Sequence, residues 1–250
     1  MAATLEPTRS TDAPLFAWVE GAAGEVVGAA LRTPPRRLLV STMSPAAAGA
    51  LMAKLLEVDR ELPGVNGPQP AASHAAQAWR SCAGGAVTPL MSQAIYWLEH
   101  VQDPPRPPAG RLRPADQSDR DLMIDWTHAF NRNAGLPDVA VESEVDRRLR
   151  DRRMFVWSDG RETVSMVGTA PPVAGVVRLG PVHTPPDRRR RGYATALVAE
   201  VSRRALAAGA AKCMLYTDLA NATSNSIYQA VGYRRSSDAQ EYAFSSHDLE

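Results

Sequence analysis

Lysine is almost missing from this 250-residue chain: of 28 basic residues only Lys54 and Lys212 are lysine. With alanine abundant, this imbalance reads as genome composition and carries no functional content. Cysteine is scarce too. Cys82 and Cys213 stand far apart, and two such cysteines suit a reducing cytoplasm better than a disulfide framework or a metal site. No apolar run approaches the length of a membrane span, and the opening Met1-Ala2-Ala3-Thr4-Leu5-Glu6-Pro7 has no apolar signal core. Neither charge sign dominates. The net charge of +1 gives no global electrostatic case for nucleic acid or an anionic membrane. Two familiar phosphate-binding patterns are absent, Gly-x-x-x-x-Gly-Lys-Ser/Thr and Gly-x-Gly-x-x-Gly after a strand. No metal site is expected.

Proline is well supplied, and it punctuates the chain. Residues 1–13 are small and polar and are expected to be disordered. Residues 15–19, 25–33 and 37–42 read as strands. Ser44-Pro45 opens a helix, with serine as N-cap and proline at the first helical position. Residues 61–70, rich in Pro and Gly, read as a loop, and 71–82 as a second helix. Residues 91–101 are strand-like. Asp103-Pro104-Pro105-Arg106-Pro107-Pro108-Ala109-Gly110 then makes a stiff spacer. The expected division is an N-terminal α/β domain over 14–103, a linker over 104–110 and a second domain over 111–250. In that second part the predicted order is a short strand at 111–114, helices over 119–133 and 141–152, and a hairpin around Asp159-Gly160. A strand over 174–184, a helix over 194–208, a strand at 213–217, a helix at 223–231 and closing strands follow. This is an α+β arrangement with a mixed sheet.

The stretch around which the chain is organised is Pro181-Val182-His183-Thr184-Pro185-Pro186-Asp187-Arg188-Arg189-Arg190-Arg191-Gly192-Tyr193-Ala194. Prolines cannot donate to a ladder, so the pair ends the strand. Arg-x-x-Gly-x-Ala falls where the next helix starts. A helix start exposes amides without intrahelical partners, its dipole favours negative charge, and a glycine lets a ligand come close to the backbone. The combination is an anion cradle suited to a pyrophosphate.

Arg189-Arg190-Arg191-Gly192-Tyr193-Ala194 resembles the coenzyme A signature of the GNAT acetyltransferase superfamily, Arg/Gln-x-x-Gly-x-Gly/Ala. A second segment, Asn221-Ala222-Thr223-Ser224-Asn225-Ser226-Ile227-Tyr228-Gln229-Ala230-Val231-Gly232-Tyr233, resembles that superfamily's Asn-x-x-Ala-x-x-Leu-Tyr-x-x-x-Gly-Phe. Ser224 and Tyr233 depart from it. The likeness covers about 111–244. The N-terminal order of three strands, helix, helix and strand echoes the second half of the same fold, either as a degenerate GNAT-like domain or as an unrelated α/β cap.

The resemblance implies transfer of an acetyl group from acetyl-CoA to a primary amine of a small molecule or peptide, by direct attack in a ternary complex. It implies backbone contacts to the coenzyme from Val182, His183 and Thr184, with the Val182 N–H facing the thioester oxygen. Arg189, Arg190, Arg191, Gly192, Tyr193, Ala194 and Thr195 would hold the pyrophosphate. Asn221 either caps its helix or, with Ser224, contacts the coenzyme. Tyr228 would protonate the departing thiolate. The base is open: Arg178 stands where some relatives carry a glutamate and cannot accept a proton. His183, Glu142, Glu162, Asp218, Glu241 or a water chain remain. The alternatives are an acyl-CoA-binding module without turnover and a nucleic-acid binder using the arginine run, which the net charge disfavours. The acceptor is not legible, and a monomer and a homodimer are both open.

Overall fold

The computed structural model describes residues 1–5, 14–104 and 107–245. Its strands, in chain order, are β1 (Ala2–Leu5), β2 (Leu15–Glu20), β3 (Val26–Arg32), β4 (Leu38–Val40), β5 (Gly64–Pro68), β6 (Ala86–Leu98), β7 (Arg111–Pro114), β8 (Met154–Asp159), β9 (Glu162–Thr169), β10 (Val176–His183), β11 (Lys212–Asp218) and β12 (Arg234–Ser245). The helices are α1 (Pro45–Leu55), α2 (Gln69–Ala83), α3 (Arg120–Asn133), α4 (Val141–Arg150), α5 (Tyr193–Ala207) and α6 (Ala222–Val231). By contacts the chain forms two units, Met1–Ala94 with Ser237–Glu250, and Ile95–Ser236. β6 begins in the first unit and ends in the second, and β12 does the reverse. The division therefore falls inside two strands. The proline-rich stretch at 104–110, whose residues 105 and 106 lie outside the described residues, is within the second unit.

In the first unit β2, β3 and β4 pair antiparallel in succession, β4 pairs parallel with β5, and β12 pairs antiparallel with β5. The core lies between this sheet and the α1–α2 pair. Leu15, Ala17 and Val19 from β2 and Leu38 and Val40 from β4 meet Leu51, Met52 and Leu55 from α1 and Trp79 from α2. Alternation along β2 and β4 supplies one apolar row each, as a sheet with one covered face requires. Two expectations are corrected here. Residues 2–5, expected disordered, form β1 by pairing with β2, while 6–13 lie outside the described residues. Residues 64–68, read as a loop from their Gly and Pro, form a strand because β4 and β12 offer ladders on both sides.

The second unit repeats the first. β8, β9 and β10 pair antiparallel in succession, and β10 pairs parallel with β11. The order β2-β3-β4-α1-β5-α2-β6 thus recurs as β8-β9-β10-α5-β11-α6-β12. This unit adds β7 and the helices α3 and α4. One face carries α3 and α4, whose Met123, Val141 and Val145 cluster with Met154, Val156 and Met166 of β8 and β9. α5 packs across β8, β9, β10 and β11. The helix start at 119 is more elaborate than a simple cap. Asp119 forms a bidentate ion pair with Arg113 (2.6 and 2.7 Å), and Asp116 caps the short 3₁₀ turn before α3.

Trp79 is buried and stacks on Phe244 of β12, with ring centroids 4.2 Å apart, and its indole N–H has no partner among the described residues. Trp79→Ala removes the largest side chain of this core. It should destabilise the first unit by about 3–5 kcal/mol, read as a lowered midpoint in chemical denaturation. A shift near zero would contradict the packing described.

Candidate functional site

The site is built at the C-terminal ends of β10 and β11. β10 pairs with β11 only at Val176, Val177 and Arg178, opposite Lys212, Cys213 and Met214. Beyond those residues both strands continue, to His183 and Asp218, without pairing to one another. The ladder between β9 and β10 shifts register between Leu179 and Val182, so a bulge coincides with the point where β10 turns away. Val182 and His183 lie in the parted segment. Their pairs on β9 are Val167 and Met166. His183 therefore shares a face with Met166, toward α3 and α4, and its ring lies 5.6 Å from that of Trp126.

The turn that follows is held from β9. The Ser165 hydroxyl donates to the His183 carbonyl (3.1 Å) and lies 2.8 Å from the Thr184 hydroxyl. Arg189 Nε donates to the Thr184 carbonyl (3.0 Å), and Arg188 pairs with Glu162 (2.8 Å) and Asp187 (3.1 Å). Arg188 and Arg189 are thus tied into the loop. Arg190 and Arg191 are exposed and form no ion pair among the described residues. Arg190 (φ 62°) and Gly192 (φ 83°) both adopt the left-handed conformation. Gly192 is the N-cap of α5, and no side chain caps that helix. The amides of Tyr193, Ala194 and Thr195 are left without intrahelical partners. Tyr193 is fixed from the β8–β9 hairpin: its hydroxyl donates to Asp159 Oδ2 at 2.5 Å, and that bond raises the phenol pKa.

α6 packs against α5 and β11. Asn221 accepts the Ser224 amide (3.0 Å), so its carbonyl oxygen caps α6. Tyr228 is buried, which pushes its phenol up to about 12, and its ring meets that of Tyr233 edge-on at 6.0 Å. Its hydroxyl has no hydrogen-bond partner among the described residues. Burial, with a smaller contribution from the Arg189 charge, lowers His183 to about 4. Of the carboxylates considered as bases, Glu241 belongs to the first unit, where it pairs with Arg37 (2.6 Å). Glu162 pairs with Arg188, Asp218 accepts the Ala220 amide (2.8 Å), and Glu142 lies 3.9 Å from His128.

Three contributors escaped the sequence reading. Asn225 donates to the carbonyls of Asp218 (3.1 Å) and Leu219 (3.4 Å), while its buried Oδ1 has no partner among the described residues. Ser165 and Asp159 hold the two ends of the turn from strands distant in sequence, and no local signal marks them. A parted strand pair, a left-handed glycine and an uncapped helix start in succession fit a ligand with an extended amide-bearing arm and a phosphate group.

Residues 161–243 match the family model described as FR47-like protein. No curated protein matches the chain in sequence. Among solved structures, a GCN5-related N-acetyltransferase from Sphaerobacter thermophilus has a TM-score of 0.65 at 18% identity, over 92% of this chain and 80% of that one. An acetyltransferase of the GNAT family from Colwellia psychrerythraea has a TM-score of 0.62 at 12% identity, over 92% and 85%. A GCN5-related N-acetyltransferase from Kribbella flavida has a TM-score of 0.62 at 14% identity, over 89% and 88%. These likenesses extend over both units and establish the fold. Residues 161–243 thus resemble an FR47-like domain, and the chain shares its fold with these acetyltransferase structures.

Proposed function

We propose that the chain is an acetyl-CoA-dependent N-acetyltransferase acting on a primary amine. The observation that carries this reading is the parting of β10 from β11 beyond Arg178 and Met214, directly before a helix start that no side chain caps. Bound acetyl-CoA would supply an activated acetyl thioester. The amides of Tyr193, Ala194 and Thr195 would hold its pyrophosphate, with Arg190 and Arg191 adding charge. Val182 and Thr184 would contact the pantetheine arm, and Asn225 Oδ1 is an acceptor without a partner beside it. A backbone donor at Val182 would stabilise charge developing on the thioester oxygen.

The reaction forms a C–N bond as the C–S bond breaks, and the sulfur leaves with the electron pair. Tyr228 would return a proton to it; a phenol raised to about 12 stays protonated at neutral pH. Both substrates are held together, so most of the rate gain comes from positioning. His183 is neutral at physiological pH but a weak base at about 4, and Arg178 cannot accept a proton. The amine therefore has to arrive unprotonated, or lose its proton to water. The free thiols Cys82 and Cys213 suit a reducing, cytoplasmic setting.

Calorimetric titration with acetyl-CoA tests the cradle. Gly192→Glu places a carboxylate against the phosphates and should weaken binding by more than about tenfold. Gly192→Asn, which tolerates the left-handed conformation, should keep the fold and separates strain from repulsion. Unchanged affinity in Gly192→Glu would remove the assignment. Tyr228→Phe should lower kcat by roughly 10²-fold or more with little change in acetyl-CoA affinity. If coenzyme binds but no amine raises thiol release above hydrolysis, the chain is a binding module without turnover.

His183 generates a stability prediction. Its folded pKa of about 4 lies below the unfolded value of about 6.5. Between those values the unfolded chain binds the extra proton, so stability falls as pH drops through the window, by up to about 3 kcal/mol in total. His183→Gln should flatten that slope in denaturant titrations at pH 4 to 7. An unchanged slope would show that the imidazole is not desolvated.

A further inference from the structure

The face of the second unit that carries α3 and α4 holds a charge that the proposed reaction does not use. Register places its members. Cys213 bonds to the Ser202 carbonyl of α5, so Cys213 and its partner Val177 face α5. Arg178, Met214 and Tyr216 therefore project to the α3–α4 side by alternation. Arg178 belongs to the last pair before β10 and β11 part, so it stands at the closed end of the opening. It is exposed and forms no ion pair among the described residues.

A second guanidinium lies on the same side. Arg148 of α4 is only 5% exposed; its Nη2 donates to the Gly180 carbonyl in the β10 bulge (3.2 Å) and pairs with Glu144 (2.8 Å). Burial lowers the Arg148 pKa, Glu144 opposes that shift, and the Arg178 charge adds to the lowering. Burial raises the phenol of Tyr216, and the Arg178 charge opposes it. Both groups thus feel Arg178. Glu144 is engaged by Arg148, and Asp218 at the far end of β11 is engaged by the Ala220 amide. Of these two guanidiniums Arg148 has Glu144 as its partner, while Arg178 has no carboxylate paired with it among the described residues. Trp126 and the neutral His183 form its aromatic wall.

We infer that the acceptor amine carries an anionic group, a carboxylate or a phosphate, and that Arg178 binds it at the closed end of the opening. The inference rests on the proposed acetyl transfer. Arg178 presents a fork of N–H donors that fits either anion, and the anion would offset the repulsion between Arg178 and Arg148. Arg178 acts on acceptor choice, away from the cradle at Gly192.

The test uses the full chain with acetyl-CoA and matched amines: amino acids against their carboxamides, and phosphate-bearing amines against their alcohols. The expected result is a preference of about ten- to a hundredfold in kcat/KM for the anionic member, from one charge-assisted contact. The free carboxylate and phosphate arms distinguish which anion is taken. Arg178→Gln should erase the preference through the acceptor KM, with acetyl-CoA affinity unchanged, and Arg178→Lys should restore part of it. Equal rates for both members in the unaltered chain, or a preference that survives Arg178→Gln, would overturn the inference and leave the transferase reading intact. Failure of acetyl-CoA to bind at all would instead remove the transferase reading, and this one with it.

Discussion

Backbone groups left without partners at one place hold the functional account together. β10 and β11 are bonded for only part of their length, and α5 begins with amides that no side chain covers. Each omission costs stability. A helix start given a serine or aspartate cap is typically about 1 kcal/mol better off, and each missing ladder bond leaves a polar pair to water. Side-chain caps are also missing at α2, α3 and α4, so what sets this turn apart is an uncapped helix start directly after a parted strand pair, and that combination points to a ligand that supplies the missing partners. The surrounding structure stiffens the turn without filling it. Ser165, Glu162 and Asp159, all from β8 and β9, grip Thr184, Arg188 and Tyr193 by side chain. The backbone donors stay open.

The first unit shows what the same order of elements looks like when those groups are satisfied. β4 and β5 pair at Leu38 with Val65 and at Leu39 with Asn66. A Cβ on Gly67 would come within 2.6 Å of the Val40 carbonyl oxygen, so the two strands stay close to the end of β4. α1 then starts with Ser44 accepting the Ala47 amide at 3.2 Å, and Pro45 removes one N–H altogether. α2 of that half also lacks a side-chain cap, so the contrast is between α1 and α5, the helices that follow β4 and β10. Repetition of the fold is not repetition of the site. The sequence difference that separates the halves is small: Ser44-Pro45 in one, Arg191-Gly192 in the other.

That difference was legible in the amino acids, because capping serine, helix-start proline and left-handed glycine act over two or three residues. So were nearly all of the helices and the strands of the second unit. What could not be read depends on partners far along the chain. Gly64, Gly67 and Pro68 carry turn composition, yet they form a strand between β4 and β12, where pairing overrides propensity. β12 returns to the first unit although its sequence follows the second, and no local pattern announces such a return. Arg148 sits in a strongly charged helix, and only packing against the Gly180 bulge shows that it is buried. Asp159 and Ser165 look like ordinary hairpin and strand polars until α5 and the turn are in place.

The electrostatics of the two sides of the opening differ in kind. On the cradle side the positive character comes from backbone amides and exposed arginines, which stay solvated until a phosphate arrives. On the α3–α4 side it comes from Arg178 and a buried guanidinium whose one carboxylate partner, Glu144, is already engaged. A proton acceptor would be poorly placed there, because neighbouring cations favour the deprotonated form of an acid or an amine. That same field lowers the pKa of a bound ammonium. A face without an evident base can therefore still promote attack by a neutral amine: it makes the proton easier to lose, and water can take it. The lowered His183 pKa has a different origin: burial first, and then the Arg189 charge of the turn, keep that ring uncharged.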